Sequence, residues 1–206
     1  MNLAVALRTN ASNNLFRNAL ISAINSGVGD TAYLCSGFFQ ENHGRNHYRV
    51  SNDGNLIRTL AQNRINLVTV GVYNAQWRPA YDRFVSNLRH AGISVVQRVA
   101  SRWHAKVFIL DKGTKSIFGI IGSSNLTRRA FGISDPFNYE CDVYLWDKKE
   151  KKIDKTLKEL IDNYDDKYLI KSEYLLRENK NLSINDKLKE IKILLSENSR
   201  IVEQIV

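Results

Sequence analysis

Two apolar, β-rich runs, Ala105 to Leu110 and Ile117 to Ile121, flank the turn residues Lys112-Gly113-Thr114 and together read as a β-hairpin. Its polar chemistry gathers at the open end. His104 and Lys106 enter the first strand, and Gly122-Ser123-Ser124-Asn125 leaves the second. Two residues apart on a strand, His104 and Lys106 project from one face. An imidazole beside an ammonium is poorly suited to a core. Around a phosphate the pair makes sense: the lysine supplies fixed positive charge, and the histidine acts as nucleophile or proton carrier. Gly122 lets backbone approach a ligand closely, while Ser123 and Asn125 offer neutral donors to non-bridging phosphate oxygens.

The rest of the first 147 residues alternates strand-like and helix-like stretches. Leu3 to Leu7 reads as a strand. Asn13 or Asn14 can cap a helix whose apolar stripe is Leu15, Phe16, Ala19, Leu20, Ala23 and Ile24, closed by Gly27. Strands follow at Thr31 to Phe39, Asn66 to Tyr73, Ile93 to Val99 and Cys141 to Trp146, with helices at Leu56 to Ile65 and Tyr81 to His90. Strands separated by helices predict an α/β fold with a mixed sheet flanked by helices.

Charge divides the chain. Residues 1–147 hold 13 Arg and 3 Lys against 9 acids, a net of +7, whereas residues 148–206 hold 12 Lys and 2 Arg against 12 acids. The switch falls at Asp147-Lys148-Lys149-Glu150-Lys151-Lys152. It predicts a boundary between a first domain, 1–147, which holds the His104–Asn125 hairpin, and a charged helical C-terminal extension, 148–206, expected to serve packing, dimerisation or contact with a partner subunit. In the extension, Ile153, Leu157, Leu160, Ile161 and Tyr164 share one helical face. Leu188, Ile191 and Leu195, continued by Ile201 and Ile205, form a second stripe.

The total charge of +9 favours polyanionic partners without choosing among them. Two cysteines, Cys35 and Cys141, are too few for a disulfide framework, and their apolar surroundings read as buried reduced thiols of a cytoplasmic protein. The opening MNLAVALRTN has no basic segment ahead of its apolar run and reads as a strand instead of a signal peptide. No window approaches 18 uncharged apolar residues, so no membrane span is expected.

The segment from His104 to Glu140 resembles the phospholipase D superfamily. The signature H-x-K-x4-D followed by G-S-x-N stands here as His104, Lys106, Asp111, Gly122, Ser123 and Asn125. Glu140 falls where the family has an acid that hydrogen-bonds the nucleophilic histidine, and Ser36-Gly37-Phe38-Phe39 is similar to the strand end before an active-site loop in nuclease members. The stretch from Lys112 to Ile121 is longer than the family's usual spacing, and the extra residues fall in the hairpin turn, where insertion is cheap.

The resemblance implies a phospholipase D-like fold and a phosphodiesterase that needs no metal or cofactor. In it His104 attacks phosphorus, Lys106 and Asn125 hold the phosphoryl oxygens with Ser123 in support, and Glu140 orients His104. Asp111 is structural. Family enzymes use two such motifs in one site; this chain has one, because His43, His47 and His90 are not followed by a lysine at the right spacing. The second His104 is therefore expected from another copy, in a homodimer with one composite site.

Arg128 and Arg129, just past the signature, and Lys112 and Lys115 in the hairpin turn are candidates for phosphate-backbone contact. Tyr73, Trp77 and Trp103 can stack on bases or lie in the core. Glu41 to His47 reads as a loop, with no metal site at His43 and His47. The expected partner is DNA, with RNA open, and the expected activity is endonuclease. The alternatives are a phospholipase D or phosphatidyltransferase acting on phospholipid, or a non-catalytic nucleic-acid-binding module.

Overall fold

A computed structural model describes residues 2–43, 46–72, 76–100, 104–133, 135–197 and 201–203. In chain order the elements are β1 (Leu3–Leu7), α1 (Leu15–Asn25), β2 (Thr31–Ser36), β3 (Gln40–His43), β4 (Asn46–Arg49), α2 (Gly54–Gln62), β5 (Asn66–Val72), α3 (Arg78–His90) and β6 (Val95–Ala100). Then follow β7 (Lys106–Lys112), β8 (Lys115–Gly122), α4 (Arg128–Phe131), β9 (Cys141–Trp146), α5 (Lys151–Asp162), β10 (Leu169–Ser172), α6 (Ile184–Glu197) and β11 (Ile201–Glu203).

Nine strands form one mixed sheet in the order β10-β1-β9-β8-β7-β2-β5-β6-β11. Strands β2, β5 and β6 are parallel, and all other neighbours are antiparallel. Helices cover both faces. The apolar stripe of α1 buries all six expected residues, beside Leu56 of α2, Phe84 of α3, Phe108, Phe118, Trp146 and Leu157 of α5. On the other face Leu188 and Leu195 of α6 pack with Val107, Ile109 and Leu145.

Local chemistry sets the helix ends. Asn14 caps α1, its side-chain oxygen accepting the Arg17 N–H at 3.0 Å. Gly27, at φ +66°, turns the chain out of α1 through a conformation that costs glycine little. Asp53 caps α2 through the Leu56 N–H at 3.1 Å and is paired with Arg17 at 2.6 Å.

The sheet runs across the compositional divide at residue 148. β10 pairs with β1 at one edge, and β11 pairs with β6 at the other. Lys192 of α6 reaches Asp111 at 2.6 Å with both side chains largely buried, and Asn185 accepts the Ser116 N–H at 2.8 Å.

Three expectations are corrected. Ile201 does not continue the α6 stripe; the helix ends by Glu197 and Ile201 pairs with Ala100 in β11, while Ile205 lies outside the described residues. The stretch expected as a loop contributes Glu41 to His43 and Asn46 to His47 to the paired strands β3 and β4, whose register is set by pairs such as Gln40 with Arg49, while residues 44–45 lie outside the described residues. Cys35 is buried, but Cys141 at the start of β9 is exposed, because the apolar run begins one residue before the strand enters the core.

Candidate active site

The pairing of Lys106 with Gly122 aligns the open ends of β7 and β8. It brings His104, just before β7, and Asn125, just after β8, to one edge of the sheet. This is the edge where the parallel strands β2 and β5 end, the usual place for a ligand in an open α/β sheet. His104 is exposed and Lys106 half-buried, so both are open to a substrate. Neither side chain hydrogen-bonds to another described residue.

Asn125 is held from across the sheet. Its side-chain oxygen accepts the backbone N–H groups of Gly37 and Phe38 at 3.1 and 3.2 Å and the Ser36 hydroxyl at 3.4 Å. Those donors fix which end of the amide is oxygen and leave Nδ2 as the group available to a phosphoryl oxygen. The single Ser36 hydroxyl proton lies nearer the Phe38 carbonyl, at 2.8 Å, and is shared between the two acceptors; the Ser36 oxygen accepts the Leu126 N–H, so the turn after β2 and the turn after β8 are one hydrogen-bonded unit.

Glu140 lies buried at this edge, 7% exposed. Its carboxylate accepts the Ser123 hydroxyl and, at 3.2 Å, the Asn138 amide; among the described residues no bond joins it to His104. The Ser123 oxygen in turn accepts the Cys141 N–H at 3.0 Å, so this hydroxyl is engaged with Glu140 and the start of β9.

Two residues on, Asp142 accepts both the Ser124 hydroxyl at 2.6 Å and the Ser124 N–H at 3.2 Å. Burial raises its carboxyl to about 6, the Ser124 bonds oppose the rise, and the Glu140 charge adds to it. Gly122 is required by this carboxylate: a Cβ there would overlap Asp142 Oδ1 and come within 2.6 Å of the Cys141 carbonyl oxygen.

The other candidates are placed as follows. Asp111 sits at the far end of β7, bonded to the Ser116 hydroxyl at 2.8 Å within the hairpin and to Lys192. Lys112 and Lys115 pair with each other at that same far end and form ion pairs with Glu150 at 3.1 Å and Asp147 at 2.5 Å. They are not at the site edge. Arg128 and Arg129 open α4 close behind Asn125; Arg129 is ion-paired with Glu41 at 2.8 Å, and Arg128 donates to the Asp135 carbonyl at 2.7 Å. Trp77 lines a cavity beside Asn125, whereas Tyr73, Trp103 and the side chains of His43 and His47 lie outside the described residues.

Two supporting residues escaped the sequence reading. Arg8, 4% exposed, donates to the carbonyls of Asn10, Ala11, Arg129, Ala130 and Gly132, binding the segment after Asn125 to the end of β1. Burial pulls its guanidinium below its ordinary value, against the charges of Tyr164, Glu140, Asp135 and Asp142. The only sequence sign was a cation ending an apolar strand. Asp142 had a clearer signal: two residues past Glu140, it shares the inward face of β9 with Tyr144 and Trp146 at period two.

A family model described as "Cardiolipin synthase, PLD-like domain" matches residues 16–164, most of the chain. The chain belongs to the phospholipase D-like superfamily. No curated protein matches it. Among solved structures, phosphatidylserine synthase from Haemophilus influenzae Rd KW20 is similar at 16% identity and a TM-score of 0.49, over 96% of this chain and 45% of that one. This chain thus spans under half the length of the synthase. NucT from Helicobacter pylori is similar at 17% identity and a TM-score of 0.43, over 76% of this chain and 96% of that one. A mutant of yeast tyrosyl-DNA phosphodiesterase is similar at 11% identity and a TM-score of 0.42, over 70% and 46%. Among the described residues no helix is long and apolar enough to cross a membrane.

Proposed function

We propose that this protein is a DNA endonuclease that works through a covalent phosphohistidine on His104. The observation that supports the reading is the Lys106–Gly122 register, with His104, Lys106 and Asn125 at one sheet edge. The choice of nucleic acid rests on the +7 carried by residues 1–147, mostly as arginine, the cation suited to bidentate phosphate contact.

In the first step an imidazole nitrogen of His104 attacks phosphorus. The N–P bond forms, the P–O bond to the leaving nucleotide breaks, and that oxygen takes a proton. Lys106 and the Asn125 amide stabilise charge gathering on the non-bridging oxygens. The proton comes from the His104 of a second copy, which requires a homodimer with a shared cleft. Water then attacks phosphorus, giving its proton to that second imidazole, and the P–N bond breaks to free His104. Glu140 supports the histidine pair by charge and by the Ser123 turn it holds.

The family model's description makes phospholipid the competing substrate. Purified protein is incubated in excess EDTA with plasmid DNA, with RNA and with cardiolipin vesicles, and its mass is measured by sedimentation. The reading expects nicked or linearised plasmid and a dimer. Turnover of lipid alone contradicts the substrate; cleavage only after magnesium is added contradicts the chemistry.

A further inference from the structure

A cavity of about 330 Å³ opens beside Asn125, at the small end of the range for ligand pockets (roughly 300–1,000 Å³). Its size suits one compact ring system. Phe38 and Trp77 line it, in contact edge to face with centroids 5.2 Å apart. The neighbouring Phe39 shows the contrast: it is buried against Tyr81 and Phe84 in the core, whereas Phe38 and Trp77 stay half-buried at the cavity.

The polar lining is balanced in charge. Arg129 and Glu41 pair at 2.8 Å, and Glu41 also accepts the Arg129 N–H at 2.9 Å. The carboxylate is thereby engaged by Arg129, which disfavours a cationic lipid head group beside the aromatic rings. The remaining lining includes the side-chain amides of Gln40 and Asn138 and the Thr127 hydroxyl, which offer both donors and acceptors to a neutral edge, the Asn138 amide also donating to Glu140 at 3.2 Å.

The cavity is tied to the chemistry through its backbone. The Phe38 N–H that bonds Asn125 Oδ1 belongs to the residue whose ring lines the cavity. A ring held on Phe38 therefore sits a short, fixed distance from the amide that grips the phosphate. We propose that this cavity is a nucleobase subsite, taking the base of a nucleotide adjacent to the scissile phosphate, with Phe38 and Trp77 as its stacking surface. The proposal rests on the nuclease reading and refines its substrate.

The test uses labelled single-stranded oligonucleotides that are identical except for one abasic nucleotide, cleaved by the intact protein in excess EDTA. Expected is a fall of about tenfold or more in cleavage of the bond flanking the abasic residue, with other bonds unchanged. W77A should lose about tenfold in kcat/KM on intact DNA and no longer discriminate the abasic strand, whereas W77F, which keeps a stacking face, should recover both. Equal cleavage at abasic and intact positions overturns the subsite while leaving the nuclease reading standing. No cleavage of either strand, with turnover of phosphatidylcholine vesicles that W77A impairs, overturns both.

Discussion

The side-chain oxygen of Asn125 accepts the Gly37 N–H at 3.1 Å, so the turn after β2 aims the amide that the turn after β8 carries. The substitution N125D separates anchoring from catalysis. A carboxylate still accepts the Gly37 and Phe38 N–H groups but loses the Nδ2 donor and adds negative charge beside a phosphate. The turnover number should fall by about 10²–10³ with an unchanged melting temperature, the usual scale for losing one oxyanion donor. N125A should lose turnover and about 1–3 kcal/mol of stability as well, because two backbone donors lose their acceptor. Steady-state kinetics paired with thermal melts decide it.

Gly122 tests the packing beneath the motif. G122A forces a methyl group onto the Asp142 carboxylate, which two bonds from Ser124 hold in place, and onto the backbone carbonyl of Cys141. Destabilisation of about 1–3 kcal/mol is expected, the ordinary scale of overpacking. The double variant G122A/D142A should recover part of it, as read by urea denaturation.

Asp142 gives the pH dependence. Its folded carboxyl titrates at about 6, above its ordinary value of 3.8. The folded state thus holds the proton more tightly than the unfolded chain, and stability from this group is full below about pH 4 and lost as pH rises through 6. The size is about 3 kcal/mol at most, at 1.36 kcal/mol per unit. Relative to D142N, which cannot ionise, the wild type should lose stability between pH 4 and 7. Parallel stability curves for the two proteins over that range would contradict the assignment.

Much of the site was legible because its chemistry is local in sequence. His104, Lys106, Gly122 and Asn125 flank one hairpin, and two strands of alternating or apolar character fix their register. The strand Leu3–Leu7, the α1 stripe and the strand Cys141–Trp146 were visible from periodicity for the same reason. What stayed hidden depends on partners far along the chain. The bond from Arg8 to Ala130 spans 122 positions, the Lys192–Asp111 pair spans 81, and nothing in either neighbourhood announces the other. Strands β10 and β11 were missed because they are short edge pieces amid charged residues, where pairing with β1 and β6 outweighs local preference. Lys112 and Lys115 were drawn to the site by their nearness to the motif, but a seven-residue strand carries the turn to the opposite end of the sheet.

The Lys192–Asp111 pair predicts how firmly α6 belongs to the fold. With the two side chains only 12% and 4% exposed, K192A strands a buried carboxylate. The cost should be about 3–5 kcal/mol, as for other broken buried pairs. D111N/K192M, which removes both charges, should be much less destabilised than K192A alone. Chemical denaturation of the three proteins checks this.

The central claim is that His104 itself takes up the phosphoryl group. The direct measurement mixes the protein with internally radiolabelled DNA in EDTA, quenches in alkali during turnover and resolves protein on a denaturing gel. The account predicts a labelled protein band that survives alkali, is discharged by acid, and is absent from H104A although that variant folds and binds DNA. Rapid cleavage by the wild type with no labelled band, or a band that persists in H104A, would contradict it.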